Sequence, residues 1–183
     1  AAAAFMASCQ SVTVEPVEPE QNPAEELLPM NISLDVATKV TDYEYEYDDK
    51  VGLYVVTQPN SLSSFDNHYN NIQLTYQYAW NPSQDMYWYD KNTYTDFYCY
   101  YPYTSYVGDV NSMSFNVASD QRDLNSLKAS DFAWGKATGI YPTKDPISIT
   151  TNHIMSSIKV YLEPGDGFTQ ESLQSADINV SLR

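Results

Sequence analysis

Two histidines, two cysteines and 24 carboxylates are the side chains here with the means to do chemistry. His68 and His153 stand among Asn and Thr, and no Gly-x-Ser-x-Gly elbow accompanies them, so serine-based acyl transfer has no support. Cys99 lies in the Tyr-rich run Phe97–Tyr103 and reads as a small buried hydrophobe rather than a nucleophile. The sequence has no Gly-rich phosphate loop and no paired-Cys zinc spacing. A glycosidase needs only two carboxylates, but no spacing among the 24 favours a pair. No catalytic residue, metal or cofactor is therefore expected.

Asp42, Glu44, Glu46, Asp48 and Asp49 form the densest acidic stretch, interleaved with Tyr43, Tyr45 and Tyr47. Several oxygens are what a calcium ion wants, yet the Asp-x-Asp-x-Asp-Gly loop is missing, and a solvated approach to a hairpin is the preferred reading. Tyr76, Tyr78, Trp80, Tyr87, Trp88 and Tyr89 carry a second possibility. Rings in this density can form a platform that stacks on sugars, with Trp80 and Trp88 as the glycan contacts; the competing reading is core and cross-strand packing.

Cys9 closes Ala1-Ala-Ala-Ala-Phe-Met-Ala-Ser-Cys9, an apolar run of small residues that gives way to polar sequence. That pattern reads as the tail of a signal peptide over residues 1–9. Met6-Ala7-Ser8-Cys9 resembles a lipobox, in which Cys9 receives diacylglycerol and becomes the mature N-terminus; the alternative is a helical scrap with an incidental cysteine. Acyl chains on Cys9 would hold the chain on a membrane, and no other stretch is long enough to span one. Residues 10–30 are acidic and Pro-rich, an extended tether. Residues 31–183 are expected to fold as one β domain.

The elements that must position these residues are mostly strands. Ile32, Leu34 and Val36 alternate with Ser33 and Asp35, and Val51–Val56 is continuously apolar, as in a strand buried on both faces. Further strands are expected at Ile72–Tyr78, Met86–Tyr89, Phe97–Tyr101, Ser114–Val117, Ile147–Ile149, Ile154–Leu162 and Ile178–Leu182. Gln58-Pro59-Asn60, Asn81-Pro82, Tyr101-Pro102 and Pro164-Gly-Asp-Gly167 mark turns. Short helical turns are expected at Thr169–Leu173 and within Leu124–Trp134. Many short strands with turns between them predict a β-sandwich rather than a βαβ fold.

Composition agrees. Seventeen of 183 residues are Tyr, a residue suited to a pleated, half-buried surface. A net charge of −15 argues against nucleic acid as a partner, because that affinity comes largely from Lys and Arg displacing counterions.

Taken in order, Asp49-Lys-Val-Gly-Leu-Tyr-Val-Val56, Met86-Tyr-Trp-Tyr-Asp90, Phe97-Tyr-Cys-Tyr-Tyr-Pro-Tyr103, Ser130-Asp-Phe-Ala-Trp-Gly-Lys136, His153-Ile-Met-Ser-Ser-Ile-Lys-Val160 and Pro164-Gly-Asp-Gly-Phe-Thr169 resemble the fimbrillin-like (Mfa-like) lipoproteins of Bacteroidales. The resemblance implies an all-β, transthyretin-like β-sandwich with short helical turns, normally followed by a second β domain. It implies a non-enzymatic, lipid-anchored subunit of a fimbrium on the outer membrane. Partners would be other fimbrial subunits through strand exchange, and host proteins or glycans as adhesion targets. In the pilin members a protease removes the first strand after a basic residue, often Arg, and a neighbour's strand fills the groove. Here Asn31–Val36 would be that strand, and Thr38-Lys39-Val40 stands where the family usually has Thr-Arg-Ala, which makes Lys39 the processing position. No Arg precedes Arg122.

Overall fold

The computed structural model describes residues 27–37, 44–156 and 160–178. Their elements run β1 (Ile32–Val36), β2 (Lys50–Thr57), β3 (Tyr69–Tyr76), β4 (Trp80–Pro82), β5 (Thr95–Tyr101), α1 (Leu124–Ala129), β6 (Ala133–Ile140), β7 (Ile147–His153) and α2 (Gln170–Gln174). All seven strands belong to one sheet in the order β1-β7-β6-β5-β2-β3-β4. Every pairing is antiparallel except β1 with β7, where Leu34 lies opposite Ile149 in parallel register. The sheet folds over until β1, at one end of the order, approaches β4 at the other. The result is the expected all-β, sandwich-like fold.

Strand periodicity explains the core. Val51, Leu53 and Val55 of β2 point inward with Ile72 and Leu74 of β3, Phe97 and Cys99 of β5, and Ile147 and Ile149 of β7. Leu34 completes this cluster from β1, and Met30, Met86 and Trp88 reach it from loops. On the opposite face of β2 and β5, Tyr54 and Tyr100 pack with Val107 and Val110 from the long connection over residues 102–118. β2 is thus covered on both sides, which is why its run is apolar at every position. Gly52 is required for this second layer, since a Cβ there would lie 2.1 Å from the Tyr100 ring.

Several expected elements differ. Met86–Tyr89 is not a strand; Met86 and Trp88 turn into the core, and one bridge, Pro29 to Tyr87, ties the segment down. Ser114–Val117 is irregular. β7 ends at His153, and the apolar residues Ile154, Val160 and Leu162 are exposed outside any strand. Within Leu124–Trp134 the helix stops at Ala129, and Ala133 opens β6, a strand whose inward positions are the small residues Ala133 and Gly135. The helical turn near Thr169 is present, capped by the Thr169 side chain, which accepts from Ser172 N in a capping box. The expected strand Ile178–Leu182 falls almost wholly outside the described residues.

Candidate functional site

The feature that singles out one end of the molecule is the edge strand β1. Its alternation seats Leu34 in the core, 6% exposed, while Asp35 faces out and accepts from Ser148 Oγ at 3.2 Å. Ile147 N donates to Asn31 O and Ala37 N to Thr151 O, both at 2.8 Å. Odd-numbered residues therefore bond to β7, and the N–H and C=O groups of Ile32, Leu34 and Val36 point the other way. They point towards β4 across a cleft of about 720 Å³. One end of that cleft is laced shut, because Met30 N donates to Met86 O at 2.8 Å and Trp88 N to Leu28 O at 2.9 Å. β4 itself offers little to a further strand: it has three residues, the last of which, Pro82, has no N–H.

The aromatic residues divide between the cleft and the core. Trp80 is half-buried in β4 and lines the cleft, with the Tyr45 ring edge-on at 4.7 Å and Tyr76 at 5.2 Å. Tyr78 occupies the turn between β3 and β4 at φ +63° with its side chain 87% exposed, 5.5 Å from the Tyr47 ring. Trp88 is not part of any platform. It is 1% exposed, its ring meets Phe97 edge-on at 5.7 Å, and its Nε1 donates to Thr143 O at 3.1 Å. A Trp whose N–H finds a carbonyl is content in a core, so both faces of the ring are spent and none is left for a sugar. The sequence runs Trp88 in with exposed Tyr87 and Tyr89, and nothing in that run separates the inward ring from the outward ones.

Where β1 ends, a second group of polar side chains meets. The antiparallel register of β6 and β7 sets Ala133 opposite His153, which brings His153 Nδ1 to 2.7 Å from Asp131 Oδ2. This contact is an ion pair when the imidazole is protonated, and neither ring nitrogen makes a hydrogen bond. Lys128 of α1 pairs with Glu46, and the Tyr45 hydroxyl is 2.8 Å from Thr151 Oγ1. Tyr101 donates to Asp49 Oδ1 at 3.4 Å. Burial pushes the Tyr45 phenol well up, and burial together with the Asp49 carboxylate does the same to Tyr101. The enclosed space is about 30 Å³, room for one water. Spacing along the chain does not reveal this cluster, because only the strand register joins residues 131 and 153.

These groups tie segments together: α1 to the acidic stretch, β5 to the turn before β2, and β7 to both sides. His68 is far from His153 in role as well as in sequence: its Nε2 bonds Tyr87 O at 2.8 Å and its ring rests on Tyr69. Burial pushes the Cys99 thiol up, which keeps it a neutral core side chain. The acidic stretch makes the turn into β2, as Asp49 N donates to Glu46 O and Asp49 Oδ2 accepts from Glu46 N. Among the described residues no three His, Cys, Asp or Glu side chains gather as a metal set. Cys9 and Lys39 lie outside the described residues.

Comparison with known proteins follows the same lines. The sequence matches the fimbrillin-like family over residues 38–183. A candidate cell adhesion protein from Bacteroides ovatus superposes with a TM-score of 0.52 at 17% identity, covering 70% of this chain and 53% of that one. A candidate cell adhesion protein from Bacteroides uniformis gives 0.52 at 18% identity, covering 72% and 48%. A fimbrial protein from Bacteroides ovatus gives 0.48 at 18% identity, covering 69% and 28%. The chain thus spans about half the length of the first two structures. No curated protein matches it in sequence. With four-fifths of its length inside the family match, the chain belongs to the fimbrillin-like family.

Proposed function

We propose that this chain is a structural or adhesive subunit of a bacterial surface fimbrium, held to the outer membrane by acyl chains on Cys9. Subunits join when a strand from a neighbour takes the place of β1. The observation that carries this reading is the way β1 is held. It is an edge strand with a single sheet partner, β7, and it fills the core through Leu34, with Ile32 packed half-buried beside it. Losing it would open a strand-long groove, with the β7 edge as its hydrogen-bonding wall and the Leu34 seat as its pocket. Main-chain bonding and alternate side-chain pockets are what strand addition needs. Cleavage after Lys39, three residues beyond β1, would free the strand from the rest of the domain.

Residues 154–178 fit the same picture. They expose Ile154, Tyr161, Phe168 and other apolar side chains beyond the end of the sheet, and we read them as the entry to a second β domain. The test uses the complete reading frame in an exporting host related to Bacteroides. Surface extracts are run on a denaturing gel without heating and probed for this domain. A ladder that collapses on boiling is the expected result. A single monomer band, released only by detergent, would overturn strand-exchange assembly.

A further inference from the structure

We infer that the cleft between β1 and β4 is a binding site for a neutral glycan. The inference concerns the domain with its own β1 in place; the rings that carry it, Tyr76, Tyr78 and Trp80, stand on the β3–β4 side, which strand exchange would leave untouched. A volume of about 720 Å³ is within the range of sites that hold small molecules, roughly 300–1,000 Å³. Aromatic rings and oxygen-bearing side chains share its lining. Tyr76, Tyr78 and Trp80 stand on the β3–β4 wall, Asp35 on the β1 wall, and Asn81 and Asp85 at the rim. A pyranose presents an apolar face of C–H bonds and an equatorial belt of hydroxyls. The first stacks on amphipathic rings, and the second exchanges hydrogen bonds with carboxylates and amides, which accept and donate in pairs.

Backbone strain points to the same place. Tyr78 holds φ +63° in the left-handed region, where glycine or asparagine is the ordinary choice, and still presents its ring to solvent. An exposed aromatic kept in a conformation that disfavours it marks a position where the ring itself is needed. Electrostatics then narrows the ligand. Two carboxylates and no Lys, Arg or His line the cleft among the described residues, and the whole chain carries −15. Sialylated, sulfated or uronate-rich chains would meet like charge there, repelled most at low salt, which favours neutral hexoses and N-acetylhexosamines. A peptide strand is the competing occupant, and the edges argue against it. The lacing of residues 28–30 to 86–88 blocks one end, and Pro82 removes a donor from β4.

The test is titration of the full chain, followed by tryptophan fluorescence and calorimetry, with maltohexaose, mannohexaose, chitohexaose and lacto-N-tetraose as neutral probes. Sialyllactose and a hexalysine peptide serve as contrasts. Saturable binding of at least one neutral probe is expected. Tyr78→Ala, which removes an exposed ring, should weaken it by about tenfold or more, the equivalent of one lost stacking contact, with the unfolding midpoint retained. Trp80→Ala should abolish it, and because Trp80 also packs on the core, Asn81→Ala provides a second exposed change with the same expected direction. Binding that survives Tyr78→Ala and Asn81→Ala undiminished would overturn the site. So would tighter binding of sialyllactose or hexalysine than of every neutral probe, or no saturable binding of any neutral probe at millimolar concentration.

Discussion

Tyr100 shows how single residues are held here. It is fully buried, yet its hydroxyl donates to Asn71 Oδ1 at 2.7 Å and accepts from Thr104 N at 3.3 Å. A buried polar group that finds such partners costs little, whereas an orphaned one costs about 1–3 kcal/mol. Cys99 lies one residue earlier on the opposite face, fully buried in the main core cluster. Burial raises its thiol pKa, so over a range of pH the folded chain keeps a proton that the unfolded chain has lost. The sign follows from linkage: stability is full below the unfolded thiol value of about 8.5 and falls as pH rises above it, by up to about 1.4 kcal/mol per pH unit. Tyr45, Tyr100 and Tyr101 are shifted in the same direction and add their loss above about pH 10. Cys99→Val should therefore flatten the decline between pH 8.5 and 10 while leaving the steeper fall beyond it. Urea midpoints measured across that range check this, and parallel profiles for parent and variant would refute it.

At the scale of elements, β6 teaches most. Its sequence, Ala133-Trp-Gly-Lys-Ala-Thr-Gly-Ile140, has neither the period nor the bulk of a strand, and it sits behind a genuine helical turn. What places it in the sheet is its neighbour. A Cβ on Gly135 would lie 2.5 Å from the Thr150 carbonyl oxygen, so β6 and β7 approach too closely for any side chain there. The strand is chosen by the fit of backbones, which hydrophobic periodicity cannot register. Gly135→Val should for that reason prevent folding at 37 °C, while Lys136→Val one residue along, on an exposed position, should not. Circular dichroism melts of the two variants discriminate; equal melting temperatures would mean the close approach is not structural. By contrast β1, β2, β3, β5 and the core half of β7 were legible, because Leu34, Val51–Val56, Ile72, Leu74, Phe97 and Ile149 alternate or run apolar as their burial demands. Of the candidate glycan contacts, Trp80 and Trp88 read alike in the sequence, and only the fold separates them: Trp80 is half-buried at the cleft, Trp88 fully buried. Trp88 was not distinguishable from Tyr87 and Tyr89, since the choice of which ring enters the core depends on the Pro29 bridge and the Thr143 carbonyl, both distant in sequence.

At the scale of the whole molecule, no described residue beyond His153 belongs to the sheet or to either core cluster, and α2 buries no residue. Ile154, Val160, Leu162, Phe168 and Ile178 lie exposed beyond that point, with Val160 and Leu162 spaced two apart. A strand-patterned apolar segment left in water is a template for pairing with something else. In a subunit of the proposed kind that something is the second β domain, whose sheet the segment would enter. Two consequences separate this account from one in which residues 154–178 brace the first sheet. A chain ended after Ser156 should have the same unfolding free energy in urea as the 183-residue chain, within about 0.5 kcal/mol, because none of the described residues beyond it is buried. It should also stay monomeric at concentrations where the 183-residue chain associates, since Val160, Tyr161, Leu162, Phe168 and Ile178 are removed and only Ile154 and Met155 of the exposed apolar group remain. Sedimentation velocity and urea titration on the two chains provide both readings. An unfolding free energy that drops by several kcal/mol on shortening would assign the segment to the first domain, and the expectation of a second sheet built on it would fall.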